Sequence, residues 1–383
     1  MPDFLFLIES RLSPEQQAAL QQVQTAANEA GLNLFLVGGA LRDMLCGQPI
    51  RDLDFAVEGN ALKLIRQLER APGVIALELD DRRRAAEVLF PGDVSVEVAQ
   101  CRTERYAKTG EEPEMLPGDI HDDLRRRDFS MNAIGLSLNP ASRGLVLDPT
   151  NGIGDIERRE IRTIHNYAFV DDPVRIMRLV RFRARLHFAL DPKTESQFRS
   201  AKERELLRYA LSRQLLKELR ELAREVNPGE VLKALDKEGM TTVFHPKLTG
   251  LRLNLPAVVK LEKTARSLEE QGLRPRRYGP FVFFLTQKLS PADRAVFTKR
   301  LHMKRADTEP WMKLEAEGKK LVRLLGSREA NTPSKAFKVL SEHPAELILF
   351  VLLHFPQKKV QDKLKAYLSR HRPLREKLPE KEL

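Results

Sequence analysis

The sequence predicts an α+β head followed by an all-α remainder, and two observations carry that prediction. Within the first hundred residues, apolar runs of strand length recur at 33–37, 51–57, 74–79, 85–90 and 94–100, separated by turn residues. From Thr194 to Leu383 the apolar residues recur at helical spacing instead. At 383 residues the chain is long enough for two or more domains.

Taken in order, Ser13-Pro14-Glu15-Gln16 reads as a helix start, with Ser13 the N-cap, Pro14 in the first turn and Gln16 reaching back. That helix runs to about Glu29 and leads through Gly31 into a buried strand at 33–37. Gly38-Gly39 removes two β-carbons where the backbone must turn and a ligand can approach closely. The helix that follows presents unpaired N–H groups to that gap, a place suited to phosphate, and stops at Gly47 and Pro49. In the next strand, 51–57, side chains alternate, so Asp52 and Asp54 share one face while Leu53, Phe55 and Val57 enter a core. Two carboxylates on one face repel unless a cation lies between them, and a hard divalent ion such as Mg²⁺ suits oxygen ligands. Beside a phosphate-binding turn the pair reads as metal-assisted phosphoryl or nucleotidyl transfer. The alternative, two solvated aspartates on a strand edge, leaves Gly38, Gly39 and Arg42 unexplained.

These residues resemble the first motif of the class II nucleotidyltransferase family: CCA-adding enzymes, their CC- or A-adding variants, and bacterial poly(A) polymerases. The resemblance implies a mixed-sheet nucleotidyltransferase head at 1–147, a helical neck at 148–226, and an elongated helical body and tail at 227–383. It also implies catalysis by Asp52 and Asp54 holding Mg²⁺, with Gly38, Gly39 and Arg42 at the sugar and phosphates.

Beyond Gly59-Asn60 a helix is expected at 61–70, then strands at 74–79, 85–90 and 94–100, the last two joined by Pro91-Gly92-Asp93. If the last strand neighbours the aspartates, Glu97 is a third catalytic carboxylate, as is common in this superfamily. Residues 102–122 show little periodicity and read as a functional or flexible loop. The run Arg125-Arg126-Arg127-Asp128-Phe129-Ser130-Met131-Asn132-Ala133 concentrates cations that are costly to hold together without an anion. Ser130 is read as capping a helix whose apolar face is Met131, Ile134 and Leu138. The block resembles the family's Arg-Arg-Asp-Phe motif, which implies that Arg127, with Asp128 and Asn132, handles ribose and phosphates. The turn-rich stretch 148–155 is similar to the family's third motif, an interdomain hinge.

Asp171-Asp172-Pro173 precedes a helix on which Arg175, Arg178 and Arg181 recur every three residues. Asp172 and Arg175 can meet on that helix. Adenine and cytosine each present an amino donor beside a ring-nitrogen acceptor; a carboxylate accepts from the first and a guanidinium donates to the second. Guanine and uracil reverse both groups, so one such pair would accept ATP and CTP and reject GTP and UTP. This block resembles the family's fourth motif, Glu-Asp-x-x-Arg, with Asp171 in place of the glutamate. The resemblance implies that Asp172 and Arg175 read the base while Arg178 and Arg181 face the nucleotide phosphates.

Past Thr194, an apolar stripe at 212–226 is expected to hold the family's fifth motif, with Gln214 where its arginine would align. Helices are expected at 256–270, 280–288, 291–300, 309–325, 335–340, 344–355 and 358–370, with basic clusters at 299–305 and 363–377. Lysine and arginine exceed aspartate and glutamate by 65 to 54, which points to a polyanionic partner, nucleic acid foremost. Cys46 and Cys101 form no disulfide framework, no apolar stretch approaches a membrane span, and Met1-Pro2-Asp3 lacks a charged leader. A reducing cytoplasm is the expected compartment. Trp311 is expected in the core, and His245, His302 and His354 are too scattered for a metal site. The expected activity is template-independent addition of CMP and AMP to RNA 3′ ends, foremost the tRNA 3′ CCA. The alternatives are a poly(A) polymerase, a CC-only or A-only enzyme, or an inactive RNA-binding protein.

Overall fold

A computed structural model describes residues 3–375. The chain divides into two compact units, Met1–Tyr209 and Ala210–Leu383. The expected breaks before 148 and 227 therefore differ from the division found, in which 148–209 pack with the sheet-bearing unit. The bridge between Phe129 and Thr163 is one reason that segment stays with the head.

The first unit is built on a seven-stranded mixed sheet in the order β3-β4-β5-β2-β1-β8-β9. Its strands are β1 (Asn33–Val37), β2 (Leu53–Glu58), β3 (Ile75–Asp80), β4 (Ala85–Phe90), β5 (Val94–Gln100), β8 (Gly135–Ser137) and β9 (Val146–Leu147). β2 and β5 are parallel; the other pairs in this sheet are antiparallel. Leu53, Phe55, Val57, Val96 and Val98 fill one face, and α2 (Pro14–Ala30) and α4 (Ala61–Leu68) pack there. On the opposite face Phe35, Val37 and Ala56 pack with Ile120, Leu124 and Ala133, so the central strands are buried on both sides. Asp54 belongs to this second face, opposite Val37 on one side and beside Glu97 on the other.

Local chemistry explains the element ends. Ser13 accepts from the backbone of Gln16, whose side chain accepts from Ser13 N–H, and Gly31 closes α2 in the left-handed region at φ 67°. α3 (Gly39–Leu45) begins at the Gly-Gly turn as expected.

Two expectations are corrected. Residues 102–122 are not a loop throughout: β6 (Arg102–Arg105) and β7 (Glu114–Pro117) form an antiparallel pair around a loop at 106–113, followed by α5 (Ile120–Arg125), capped by Asp119. Alternation was invisible because the inward residues are charged and satisfy each other: Arg102 and Glu104 pair at 2.9 Å, both side chains buried. Ser130 does not cap a helix; Ser130–Asn132 is a single 3₁₀ turn, and the chain continues into β8 against β1. Residues 128–138 are all buried, and a continuous buried run carries no period to separate strand from helix.

The second unit is helical: α10 (Ser212–Arg224), α11 (Pro228–Lys237), α12 (Leu255–Glu270), α13 (Tyr278–Thr286), α14 (Pro291–Arg300), α15 (Arg305–Met312), α16 (Leu314–Gly326), α17 (Pro333–Ser341), α18 (Ala345–His354) and α19 (Lys358–Ala366). The helix expected at 309–325 is thus two, α15 containing Pro310 and ending at Met312. Trp311 is buried, as expected, and Phe281, Phe283, Phe284 and Phe350 form the aromatic core. The basic run expected to reach Lys377 ends outside the described residues, as do Met1 and Pro2 at the other end. Among the described residues no helix is long and apolar enough to cross a membrane.

Candidate functional site

Gly38 adopts φ 71° and ψ −119°, a conformation that a side chain rarely tolerates. A β-carbon there would stand 2.7 Å from Arg127 Nη1 and 3.7 Å from Asp54 Oδ2. One on Gly39 would stand 3.6 Å from Arg42 Nη2 and 3.7 Å from Asp54 Oδ2. The glycines thus leave open the space beside Asp54, with Arg127 on its other side. Asp52 stands one residue before β2, and both aspartates are half-buried while Leu53 and Phe55 are buried. Glu97 lies beside Asp54 in register, yet its Oε1 is 3.8 Å from Arg83 Nη2. Among the described residues no three His, Cys, Asp or Glu side chains converge to hold a metal. The structure therefore gathers Gly38, Gly39, Asp54 and Arg127, and leaves Glu97 adjacent rather than joined to a carboxylate triad.

Buried carboxylates hold the arginine run. Asp123 accepts from Arg126 Nη2 at 2.5 Å through one oxygen and from Arg127 Nη2 at 2.9 Å through the other. Burial opposes its ionisation, but Arg126 and Arg127 outweigh burial and hold the carboxyl well below the usual range. Asp128 accepts from Arg178 Nε at 2.7 Å and from Asn132 Nδ2 at 2.9 Å. Burial again opposes ionisation there, and Arg178, Asn132 and Arg175 prevail, so this carboxyl too is held low.

Asn132 Oδ1 accepts from Arg42 Nη1 at 2.6 Å; Arg42 in turn donates to Asp43 at 2.8 Å, and Asp43 accepts from Arg185 at 3.0 Å. This relay begins and ends on α8 (Val174–Leu186), at Arg178 and Arg185, and passes through α3. Arg42, read from sequence as a phosphate contact, is buried inside this relay. Sequence reasoning missed Asp43, Asp123, Arg185 and Phe182. The Phe182 ring seats the guanidinium groups of Arg181, Arg42 and Arg178 at 4.6, 4.8 and 5.6 Å. One signal was available: a phenylalanine sits between arginines at 181 and 183 on the helix.

α7 (Ala168–Asp171) ends just before Asp172, and α8 starts behind Pro173. Asp172 accepts from Val174 N–H at 3.2 Å and lies 3.8 Å from Arg175 Nε, so the expected pair is together. Burial pushes the Asp172 carboxyl up, against Arg175 and Arg178. Arg175 Nη2 donates to the backbone carbonyl of Arg126 at 2.7 Å. Through Arg126 and Asp123 the Asp172–Arg175 pair is thereby connected to Arg127 and the Gly-Gly turn. A cleft of about 760 Å³ is lined by Arg125, Asp148, Thr150, Asn151, Arg158, Arg162 and His165; none of Asp52, Asp54, Asp172 and Arg175 lines it.

Comparison with known proteins follows this geometry. Residues 34–162 match the poly A polymerase head domain. The chain is 29% identical, over 92% of its length, to the A-adding tRNA nucleotidyltransferase of Aquifex aeolicus, of which it spans 42%. It is 34% identical over 61% of its length to the CC-adding tRNA nucleotidyltransferase of Deinococcus radiodurans, of which it spans 61%. The chain spans less than half the length of several curated relatives it matches. A solved CCA-adding enzyme without ligand superposes with TM-score 0.60 at 25% identity, over 99% of this chain and 88% of that one. A solved tRNA-processing enzyme gives 0.59 at 27%, over 97% and 95%. Residues 34–162 thus match the poly A polymerase head domain, and over most of its length the chain is similar in sequence and fold to tRNA nucleotidyltransferases.

Proposed function

We propose that this protein adds CMP and AMP from CTP and ATP to RNA 3′ ends without a template, the tRNA 3′ CCA end being its foremost substrate. The observation that carries the reading is the continuity from Asp54 through the Gly38 turn, Arg127 and Arg126 to Arg175. With Asp54 beside the Gly38 turn, and that turn linked to Asp172 and Arg175, this supports reading the turn as the phosphate site and the pair as the selector of adenine and cytosine.

Asp52 and Asp54 fit a hard divalent cation, Mg²⁺, by donor chemistry and by the space that a side chain at 38 or 39 would fill. Bound there, such an ion lowers the pKa of the attacking 3′-hydroxyl and neutralises charge on the triphosphate. Glu97 flanks this pair and adds negative potential. The open turn at Gly38 and Gly39, whose Gly38 N–H itself donates to the Ile134 carbonyl, and the Arg127 guanidinium receive sugar and phosphates, with Arg178 and Arg181 facing the phosphate chain. Asp128, Asn132 and Arg42 hold those arginines in place. Asp172 and Arg175 select the base, each contact being worth roughly 1–3 kcal/mol of discrimination. Cys46 and Cys101 are both free thiols, which fits a reducing cytoplasm. The basic helical unit would grip RNA through its phosphates, a salt-sensitive contact.

A second reading, addition of the terminal A alone, is favoured by A-adding relatives that match over 92% and 96% of the chain.

Incubating the protein with Mg²⁺, labelled CTP or ATP, and tRNAs ending in -N, -NC and -NCC tests both. Extension of all three to CCA supports the first reading, and extension of -NCC alone supports the second. Long A tails would sink the tRNA assignment, and no incorporation on any acceptor would sink the activity. Chelation with EDTA should abolish incorporation.

A further inference from the structure

Arg175 is held from three directions. Asp172 Oδ2 lies 3.8 Å from its Nε, and the Arg126 carbonyl accepts from Nη2 at 2.7 Å. The third is His165, whose Nε2 is 3.5 Å from Arg175 Nη1. On the other edge of the imidazole, Nδ1 is 3.9 Å from Asp171 Oδ2.

An imidazole between a guanidinium and a carboxylate has one neutral tautomer that suits both neighbours. A proton on Nδ1 faces the carboxylate, and the lone pair of Nε2 faces the guanidinium N–H. The reverse tautomer sets N–H against N–H. A doubly protonated ring sets one cation against another. We propose that His165, oriented by Asp171, is a positioning residue for Arg175, fixing the plane of the guanidinium that reads the incoming base. The inference deepens the proposed function and rests on it. It gives Asp171, the acid that stands where the family motif has glutamate, a task reached through the histidine.

The surroundings favour the neutral ring. Besides Arg175 and Asp171, the charged groups near His165 are Arg125, Arg158, Arg162 and Asp148 in the cleft and Lys193 in the adjoining cavity. Arg158 and Arg162 are paired with the buried Asp155, and Arg158 also with Glu160, which leaves Arg175 as the cation that acts on the ring. Burial first, and Arg175 second, push the His165 pKa down to about 4, so the ring stays uncharged through the range in which the protein would work.

The test is primer extension by the full chain with ATP, CTP, GTP and UTP between pH 5.5 and 8, comparing wild type with His165→Leu and His165→Gln. Leucine removes the acceptor, so KM for ATP and CTP should rise roughly five- to tenfold, with kcat changed less and GTP incorporation raised by a similar factor. Glutamine restores an acceptor oxygen and should recover most of the loss. Wild-type discrimination should be flat across the pH range. The proposal is overturned if leucine matches wild type, if glutamine loses as much as leucine, or if wild-type discrimination breaks near the ordinary histidine pKa of about 6.5. Nitrogen-15 NMR of wild-type His165 supplies a readout independent of turnover and of whether the variants fold. The Nδ1-protonated tautomer upholds the geometry, and the Nε2-protonated tautomer overturns it. Absence of any incorporation by wild type would instead strike the proposed function.

Discussion

Arg175 donates from Nη2 to the backbone carbonyl oxygen of Arg126, 2.7 Å away, so the side chain proposed to read the base is anchored on the peptide that precedes Arg127. Arg175 and Arg127 are thereby tied to one short stretch of backbone, and Asp123 holds both arginines of that stretch.

Removing the charge of Asp123 should cost more stability than any surface change in the head. Asp123→Asn leaves Arg127 without this counter-ion and Arg126 with Glu104 alone in a buried site, a loss of about 3–5 kcal/mol, or on the order of 10 °C in Tm. Because the folded carboxyl is held low, its contribution is present above the unfolded value of about 3.9 and fades as the pH falls through the folded value. Thermal melts from pH 3 to 7 should show wild type losing stability in acid more steeply than the variant. Parallel curves would refute this account.

The two glycines of the turn should differ in their tolerance. Gly38→Ala meets both a positive φ and an arginine nitrogen 2.7 Å away, so Arg127 must move and about 1–3 kcal/mol of backbone strain is added. Gly39→Ala meets its nearest atom at 3.6 Å, an ordinary contact. We expect kcat/KM for ATP to fall at least tenfold in the first variant and by much less in the second, with steady-state kinetics as the measure.

Exchange of Asp172 for alanine should relax base choice. The carboxylate proposed to accept from the amino group of adenine or cytosine is gone, so the penalty on GTP and UTP falls by roughly 1–3 kcal/mol, about five- to 150-fold in relative kcat/KM. Unchanged rejection of GTP would show that Asp172 does not read the base.

Trp311 offers a test in the second unit. Its indole is 2% exposed and its Nε1–H has no hydrogen-bond partner, so the residue carries an unmet donor into the core. Trp311→Phe loses volume but also removes that donor, and the two effects should offset to within about 1 kcal/mol. Trp311→Ala should cost about 3–5 kcal/mol by urea denaturation.

Much of this arrangement was legible in advance wherever an apolar period or a cap sets the element. α2 was readable from Ser13, Pro14 and Gln16, and β1 and β2 from short apolar runs beside a double glycine. The pairing of Asp172 with Arg175 was readable from their spacing of three at a Pro-marked helix start, although Asp172 is extended and lies just outside α8. What stayed hidden was chemistry satisfied at long range. The β6–β7 pair buries Arg102 and Glu104, so its inward face reads as polar, and no window of sequence reveals that the two charges cancel. Arg42 read as a ligand contact because its partners, Asn132 and Phe182, lie far along the chain. Buried charge is indistinguishable from surface charge until the partner is known.

The central place of β2, paired with β1 and in parallel with β5, has a consequence for synthesis. A parallel neighbour requires a long crossover, and here the chain must pass residue 100 before that pair can close. Arg127 emerges later still, and β8, the outer neighbour of β1, after it. A nascent chain on the ribosome therefore displays its two aspartates well before Arg127 and β8 exist to complete the surroundings of the Gly38 turn.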